Sequence, residues 1–416
     1  MAITCEEHLD WILEQVRVLV PERLDLVKDF SALHGSVLAQ DVAAAHPLPL
    51  WDNSAMDGYA VRSADLAAAG GTHPVELEVL GEVAAGSSLD PDIGPGQCVR
   101  IMTGAPLPST ADAVVRVEDT QPADGGGQWA TQRVRILAAV EPGKDVRRRG
   151  EDKQIGAPVA KTGQLLSAAG LSALAAAGIH EVLVRTAPKV AVLITGSELQ
   201  PIGAALRRGQ IPESNSLLIR GLLAEAGIRQ VTMERCADEP QAVRQRLAEL
   251  GATHDAVIST GGVGPGTHDV MRLVLADEPG VRAVRVAVRP GQPQCTGRLS
   301  GGAMVFALPG NPVSAAVSFE LFVRPALRAM QGSATVQRPV STARATVGWR
   351  GSKGRLQVLP VVFDPKDATA CTPAVHASSI SHSVGGFGAA EGYALVGAET
   401  GDVAAGDSVD VIRVIP

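Results

Sequence analysis

The sequence predicts a multidomain protein of the α/β plus β class, and three stretches of its 416 residues carry that prediction. From Lys189 to about Gln331, strand and helix patterns alternate, which predicts a doubly wound sheet with helices on both faces. From Val75 to Ile136, short β-rich runs are separated by Gly, Pro and Asp, as in a small β domain inserted in the chain. After Pro339 the tail is β-patterned again, with Val347, Leu356, Val358 and Val361 near its start and Val409, Val411, Ile412 and Val414 at its close, which fits a terminal β-barrel. The boundaries drawn are 1–46 with 141–187 for an elongated N-terminal and linker unit, 47–140 for the inserted β domain, 188–335 for the α/β domain and 336–416 for the barrel.

Taken in order, Leu9, Ile12, Leu13, Val16 and Val20 have helical spacing, so an amphipathic helix is expected from about Glu6 to Val20, closed by Pro21. The inserted domain should hold strands at Val75–Val83, Gln97–Met102, Ala113–Val117 and Thr131–Leu137. The weakly polar run Leu165 to Ile179 is too short to span a bilayer and reads as a buried, Ala-rich helix. The α/β pattern then predicts strands at Lys189–Thr195, Ile228–Arg235, Ala256–Thr260 and Ala303–Leu308. Helices are expected at Ser214–Ala226, Pro240–Leu250, Asp269–Leu275 and Val313–Met330.

Composition narrows the function classes. A net charge of −7 argues against a broad nucleic-acid-binding face. The short run Arg147-Arg148-Arg149, followed at once by Glu151 and Asp152, reads either as a solvated loop or as a local anion site. The five cysteines are scattered with no C-x-x-C pair, and the N-terminus is acidic where a secretory signal would be basic; a reduced, cytoplasmic chain off the membrane is expected.

In open α/β sheets, ligands sit beyond the carboxyl ends of the strands. That rule selects Thr195-Gly196-Ser197-Glu198, the loop from Thr260 to Asp269, and Leu308-Pro309-Gly310-Asn311-Pro312. The second loop carries Gly261, Gly262, Gly264 and Gly266, and glycines let main-chain N–H groups approach an anion. Glu198 and Asp269 lie just past strand ends; each alone fits a cap or a surface charge, but together on the ligand edge they suit Mg²⁺. Arg285 and Arg289, four residues apart on an expected strand, point to the same face, either to bind an oxyanion or to face water.

A further cluster, Trp51-Asp52-Asn53-Ser54-Ala55-Met56-Asp57-Gly58-Tyr59-Ala60, has no repeating apolar pattern and contains an Asp-Gly turn signal. With the flanking residues from Pro47 to Arg62, it resembles the signature of the molybdopterin molybdenumtransferases, the MoeA family related to the gephyrin E domain. Met102-Thr103-Gly104-Ala105-Pro106-Leu107-Pro108, Arg149-Gly150-Glu151-Asp152, Thr195-Gly196-Ser197-Glu198-Leu199, Thr260-Gly261-Gly262 and Leu308-Pro309-Gly310-Asn311-Pro312-Val313-Ser314-Ala315 are similar to further family blocks, in family order.

The resemblance implies insertion of molybdate into adenylylated molybdopterin with release of AMP, supported by Mg²⁺. It also implies an elongated homodimer, with an active site between one subunit's α/β domain and the partner's N-terminal regions. A molybdopterin adenylyltransferase is an implied further partner. Carried over, Asp57, Asp269, Glu198 and Asp238 are the catalytic candidates, with Glu198 and Asp269 for the metal. Thr103, Thr195, Gly261, Gly262, Arg285, Arg289, Pro309, Gly310, Asn311 and Ser378 are the substrate-binding candidates, and Ser379 and Ser381 share the loop of Ser378.

Three positions depart from the family pattern. Gly264 and Pro265 stand where the family's loop has a serine and its neighbour, and Gln292 stands where it has a lysine. Arg285 and Arg289 keep the charge of two further family lysines. The competing readings are an adenylyltransferase or CinA-like enzyme, which shares the glycine loop, and a non-catalytic dimeric scaffold.

Overall fold

The computed structural model describes residues 2–124, 127–264 and 269–414. At the heart of the α/β unit, six strands lie in the order Val231–Arg235, Val190–Ile194, Ala256–Thr260, Met304–Leu308, Pro293–Arg298 and Val281–Arg285. The first four are parallel, and the last two form an antiparallel edge. Strand residues alternate between two cores. Val190, Val192, Ala256, Ile258 and Phe306 pack beneath the helices Asn215–Glu225 and Pro312–Ser318. Ala191, Leu193, Val257, Val305 and Ala307 pack with Val243, Leu247 and Val274 from Pro240–Thr253 and Val270–Leu275. The strand Ala256–Thr260 has the bounds expected from sequence.

The chain order reverses between the strands at 190–194 and 256–260. That switch point opens a crevice at their carboxyl ends. Ile194 is in register with Thr260, and Thr260 with Leu308, so the three strand-end loops leave the sheet side by side.

The inserted unit is a six-stranded sheet with the order Ala113–Arg116, Gly58–Val61, Gln97–Ile101, Val75–Val83, Arg133–Ile136, Thr120–Pro122. Before and after it the chain pairs with itself: Val42–Ala43 with Pro158–Ala160, and Glu22–Asp25 with Glu181–Arg185. The C-terminal strands Leu356–Asp364, Asp367–Pro373, Val340–Ala345, Ser408–Arg413 and Gly392–Val396 close on themselves through pairing of the first with the last, making a five-stranded barrel.

The structure corrects several expectations. The first helix spans Cys5–Gln15 and stops well short of Val20, which is 89% exposed. Thr4 and Glu7 form a capping box at its start, and Leu9 and Ile12 pack on the α/β core. The Ala-rich helix Ala168–Ala176 buries only Leu171 and Leu174, leaving most of its alanines exposed. The helix expected at Val313–Met330 begins at Pro312 and is interrupted by a π-helical turn over Phe319–Val323.

Candidate active site

The loop after Ile194 carries Thr195 and Glu198. Thr195 Oγ1 donates to Asp238 Oδ1, so two of the candidates from neighbouring strand ends meet. Glu198 is exposed. The next loop turns back through Gly261 and Gly262, both at positive φ (93° and 66°) where a side chain would be strained. Gly310 comes so close to this turn that a Cβ on it would lie 3.4 Å from Gly261 Cα. The loop re-enters helix at Asp269, the residue before Val270–Leu275; a Cβ at Gly264 would sit 3.1 Å from Asp269 Oδ2. Pro265, one of the departures, lies outside the described residues.

Sequence reasoning missed the residue that ties these loops together. Asn215 opens the helix Asn215–Glu225 and donates from Nδ2 to Gly310 O (2.8 Å) and to Thr260 Oγ1 (3.2 Å). Its side chain is buried, and among the described residues its Oδ1 has no partner. A helix start was expected near Ser214, where Asn reads as an ordinary capping residue; nothing in one sequence reveals a contact reaching 95 positions down the chain.

The two arginines do not share a strand face. Val281–Arg285 is the edge strand of the α/β sheet, whereas Val288–Arg289 pairs with Leu356–Asp364 of the barrel sheet. Buried Val286 separates them, because the segment passes from one sheet to the other. Arg285 Nη2 donates to Gln292 Oε1 (2.9 Å) beside a hollow of about 270 Å³ that Val263 and Arg272 also line. Arg289 instead donates to Ser378 O (2.9 Å) and Ser352 Oγ (3.1 Å). It borders a second hollow of about 310 Å³, lined by Pro309, Asn311, Ser314, Arg355 and Ser381. Gln292 and Pro293 line both hollows, which makes them neighbours. Arg355 is a second cation absent from the sequence-based set; it lies in the barrel, and only the fold brings it to Arg289. Ser378 contributes its carbonyl to Arg289 while its hydroxyl pairs with His376 Nδ1 at 2.7 Å.

Asp57 and Thr103 meet elsewhere, on the inserted sheet. Thr103 donates both its N–H and its hydroxyl to Asp57 Oδ1, each at 2.7 Å. These bonds hold the Asp57 carboxyl below the usual carboxylate range, the backbone N–H contributing most. The Asp-Gly step has a steric reason: a Cβ on Gly58 would fall 1.9 Å from Val115 O on the neighbouring strand. The basic run is tied into the same region, with Arg148 Nη1 at 2.7 Å from Asp52 Oδ2 and the Arg149 N–H on Asp52 Oδ1. Arg148 is thus an ion-pair partner of Asp52.

Among the described residues, no group of three or more His, Cys, Asp or Glu is placed to hold a metal by itself. Magnesium takes one or two carboxylates and fills its octahedron with water and phosphate oxygens, so a pair of acids could hold it only together with a phosphate-bearing ligand. Among the described residues, no helix is long and apolar enough to cross a membrane.

Family models match the chain in three consecutive pieces. They are described as the MoeA N-terminal region (domain I and II) over residues 3–178, a probable molybdopterin binding domain over 191–329, and the MoeA C-terminal region (domain IV) over 342–414. Molybdopterin molybdenumtransferase 2 of Mycobacterium tuberculosis is 36% identical over 412 residues, 98% of each chain. The chain belongs to the MoeA family. Another MoeA relative, the molybdopterin molybdenumtransferase of Nostoc, is 36% identical over 317 residues, 76% of this chain and 71% of its own. A molybdopterin biosynthesis MoeA protein from Pyrococcus horikoshii superposes over 100% of both chains with a TM-score of 0.76 at 28% identity. A second structure from that organism, 24% identical, shares the MoeA fold with a TM-score of 0.81 over 99% of this chain and 100% of its own. The molybdenumtransferase relatives, together with the MoeA N-terminal and C-terminal matches, do not favour the adenylyltransferase alternative.

Proposed function

We propose that this chain is a transferase of molybdenum cofactor biosynthesis that inserts molybdate into the dithiolene of adenylylated molybdopterin and releases AMP. The observation that carries this reading is the tie that Asn215 makes between two strand-end loops, at Thr260 and at Gly310, beside adjoining hollows bordered by Arg272, Arg285, Arg289 and Arg355. Molybdate is a dianion and the pterin nucleotide carries a phosphoanhydride, so a site for both needs several cations around backbone N–H groups. The guanidiniums would hold the two anions close together. The glycine turn at Gly261 and Gly262 would bring main-chain N–H groups to the nucleotide phosphates.

Asp269 and Glu198 would hold Mg²⁺ against the phosphoanhydride, where the ion would withdraw charge from the departing AMP phosphate. Asp238 would orient Thr195 beneath them. Asp57 and Thr103 would complete the site from the partner subunit of a homodimer, since in this chain they pair with each other on a separate sheet. The enzyme would act in the cytoplasm, receiving its nucleotide from a molybdopterin adenylyltransferase.

The test supplies adenylylated molybdopterin, Mg²⁺ and molybdate and measures AMP release with cofactor formation. Molybdate-dependent AMP release is expected. Its absence in a folded, dimeric preparation would sink the proposal, and ATP-dependent adenylylation of molybdopterin would favour the adenylyltransferase reading.

A further inference from the structure

Far from the strand-end loops, a cleft of about 560 Å³ opens where the N-terminal unit, the last α/β helix and the barrel meet. Its walls carry Arg324, Arg328, Arg338 and Arg413, with the hydroxyl residues Ser333 and Thr335 between them. Among the described residues, the carboxylate buried beside these cations is Glu320, whose side chain is 6% exposed. Arg338 Nε lies 3.1 Å from Glu320 Oε1, whereas Arg324 Nη1 lies at 3.9 Å and turns to Val336 O at 3.1 Å. Arg328 Nη1 donates to a neutral acceptor, Gln331 Oε1, at 3.3 Å. Among the described residues, buried Arg324 Nε has no partner.

Like charges gathered out of water repel, and one carboxylate cannot offset three guanidiniums. Burial first, and the charges of Arg324 and Arg338 second, hold the pKa of Arg328 down to about 10. Glu225, exposed on its own helix, is the other acid whose charge reaches Glu320. Glu320 lies within the π-helical turn and Arg324 directly follows it, an irregularity that proteins use mostly at functional sites. Each guanidinium presents five donors in a planar fork suited to phosphate oxygens.

We infer that this cleft is a second anion site, built to take the phosphate groups of a small polyphosphate and separate from the candidate active site. An oxyanion there would satisfy the excess donors of Arg324 and Arg328 and bridge the N-terminal unit, the α/β domain and the barrel. It would thereby fix their relative placement. The inference is independent of the proposed reaction.

Pyrophosphate, inorganic phosphate and, for ionic strength, chloride are titrated calorimetrically into the full chain carrying Arg285→Gln and Arg289→Gln, which weakens binding at the candidate active site. Saturable binding of pyrophosphate, stronger than that of phosphate, is expected to persist. Adding Arg324→Gln with Arg328→Gln should weaken it by about tenfold or more, since charge-assisted bonds are lost. Glu320→Gln should strengthen it. Should the buried substitutions prevent folding, Arg338→Gln at the cleft wall is expected to weaken binding in a chain that remains folded by circular dichroism, though with a lowered thermal midpoint because Glu320 loses its nearest partner. Absence of saturable binding, or binding indifferent to Arg338→Gln and Glu320→Gln, overturns the inference.

Discussion

Two acidic regions of this chain are held in opposite ways. On the inserted sheet, Asp57 is fixed by its own hydrogen bonds, both on Oδ1 and both from Thr103, so the carboxylate is ionised and oriented before any ligand arrives. At the α/β edge, Asp269 ends a loop that is held near its start, at Thr260 and Gly261, by Asn215 and by the close approach of Gly310, and Glu198 is exposed on the neighbouring strand-end loop. The first region is ordered at the level of one side chain. The second is ordered at the level of the backbone, which suits loops that must close around a nucleotide and a metal. Substitutions should therefore act locally in the first region and collectively in the second.

The largest effect is expected at an acid of the α/β edge. Asp269→Asn keeps the shape but removes the charge proposed to hold the metal, and should lower molybdate-dependent AMP release by about 100-fold or more. The variant should remain folded by circular dichroism. Wild-type activity would remove Asp269 from the mechanism and leave the α/β edge no more than a scaffold.

Asn215→Ala tests the collective ordering. It touches no proposed reacting group, yet it strips a partner from Gly310 O and Thr260 Oγ1 at once. Destabilisation of about 1–3 kcal/mol by denaturant titration is expected from the buried carbonyl left unpaired. Loss of loop alignment should cost about tenfold in kcat/KM. Asn215→Asp keeps the shape but offers no donor to Gly310 O, and should behave like the alanine variant. Unchanged kcat/KM in both would show that the loops hold their shape without the hub.

Thr103→Val probes the local ordering. The backbone N–H bond to Asp57, the larger contribution, survives, and only the hydroxyl bond is lost. The Asp57 carboxyl then rises toward its ordinary range, so the acid limb of the activity profile should move to higher pH while the rate at pH 7 stays near that of the wild type. A uniform loss at all pH values would mean that Thr103 contacts substrate directly.

How far these regions could be read from sequence follows from the range of the forces involved. The strand Ala256–Thr260 was legible to the residue because an apolar run ends abruptly at two glycines, and both signals are local. The pairing of Asp57 with Thr103 was accessible only through collinear family motifs, since 46 positions separate them. Periodicity failed at Arg285 and Arg289, where alternation looks continuous although the chain changes sheets at buried Val286. Asn215 and Arg355 carried no local signal. Their importance arises from what the fold brings to them, and an Asn at a helix start or an Arg beside a glycine is individually unremarkable.

The smallest effect separates the two regions by acid stability. His8 is fully buried against Phe322, with ring centroids 4.8 Å apart, and Arg282 Nη2 lies 3.2 Å from its Nδ1. Burial first, and the Arg282 charge second, push its pKa from 6.5 down to about 3. The unfolded chain therefore takes up a proton as pH falls below about 6.5, whereas the folded chain does not until near 3. This drains stability across that window by at most about 1.4 kcal/mol per pH unit. On the inserted sheet the signs lead to a later loss. Asp57 and the Arg116-paired Asp145 have lowered pKa values, so their contributions are intact above the ordinary carboxylate range and vanish only as pH falls through the depressed values. Hydrogen exchange at pH 5 against pH 7, corrected for intrinsic rates, should therefore show lower protection in the helix Cys5–Gln15 and the helices it packs on, with the inserted sheet unchanged. His8→Leu should abolish the difference; equal loss in both regions of the wild type would mean that the two unfold as one unit.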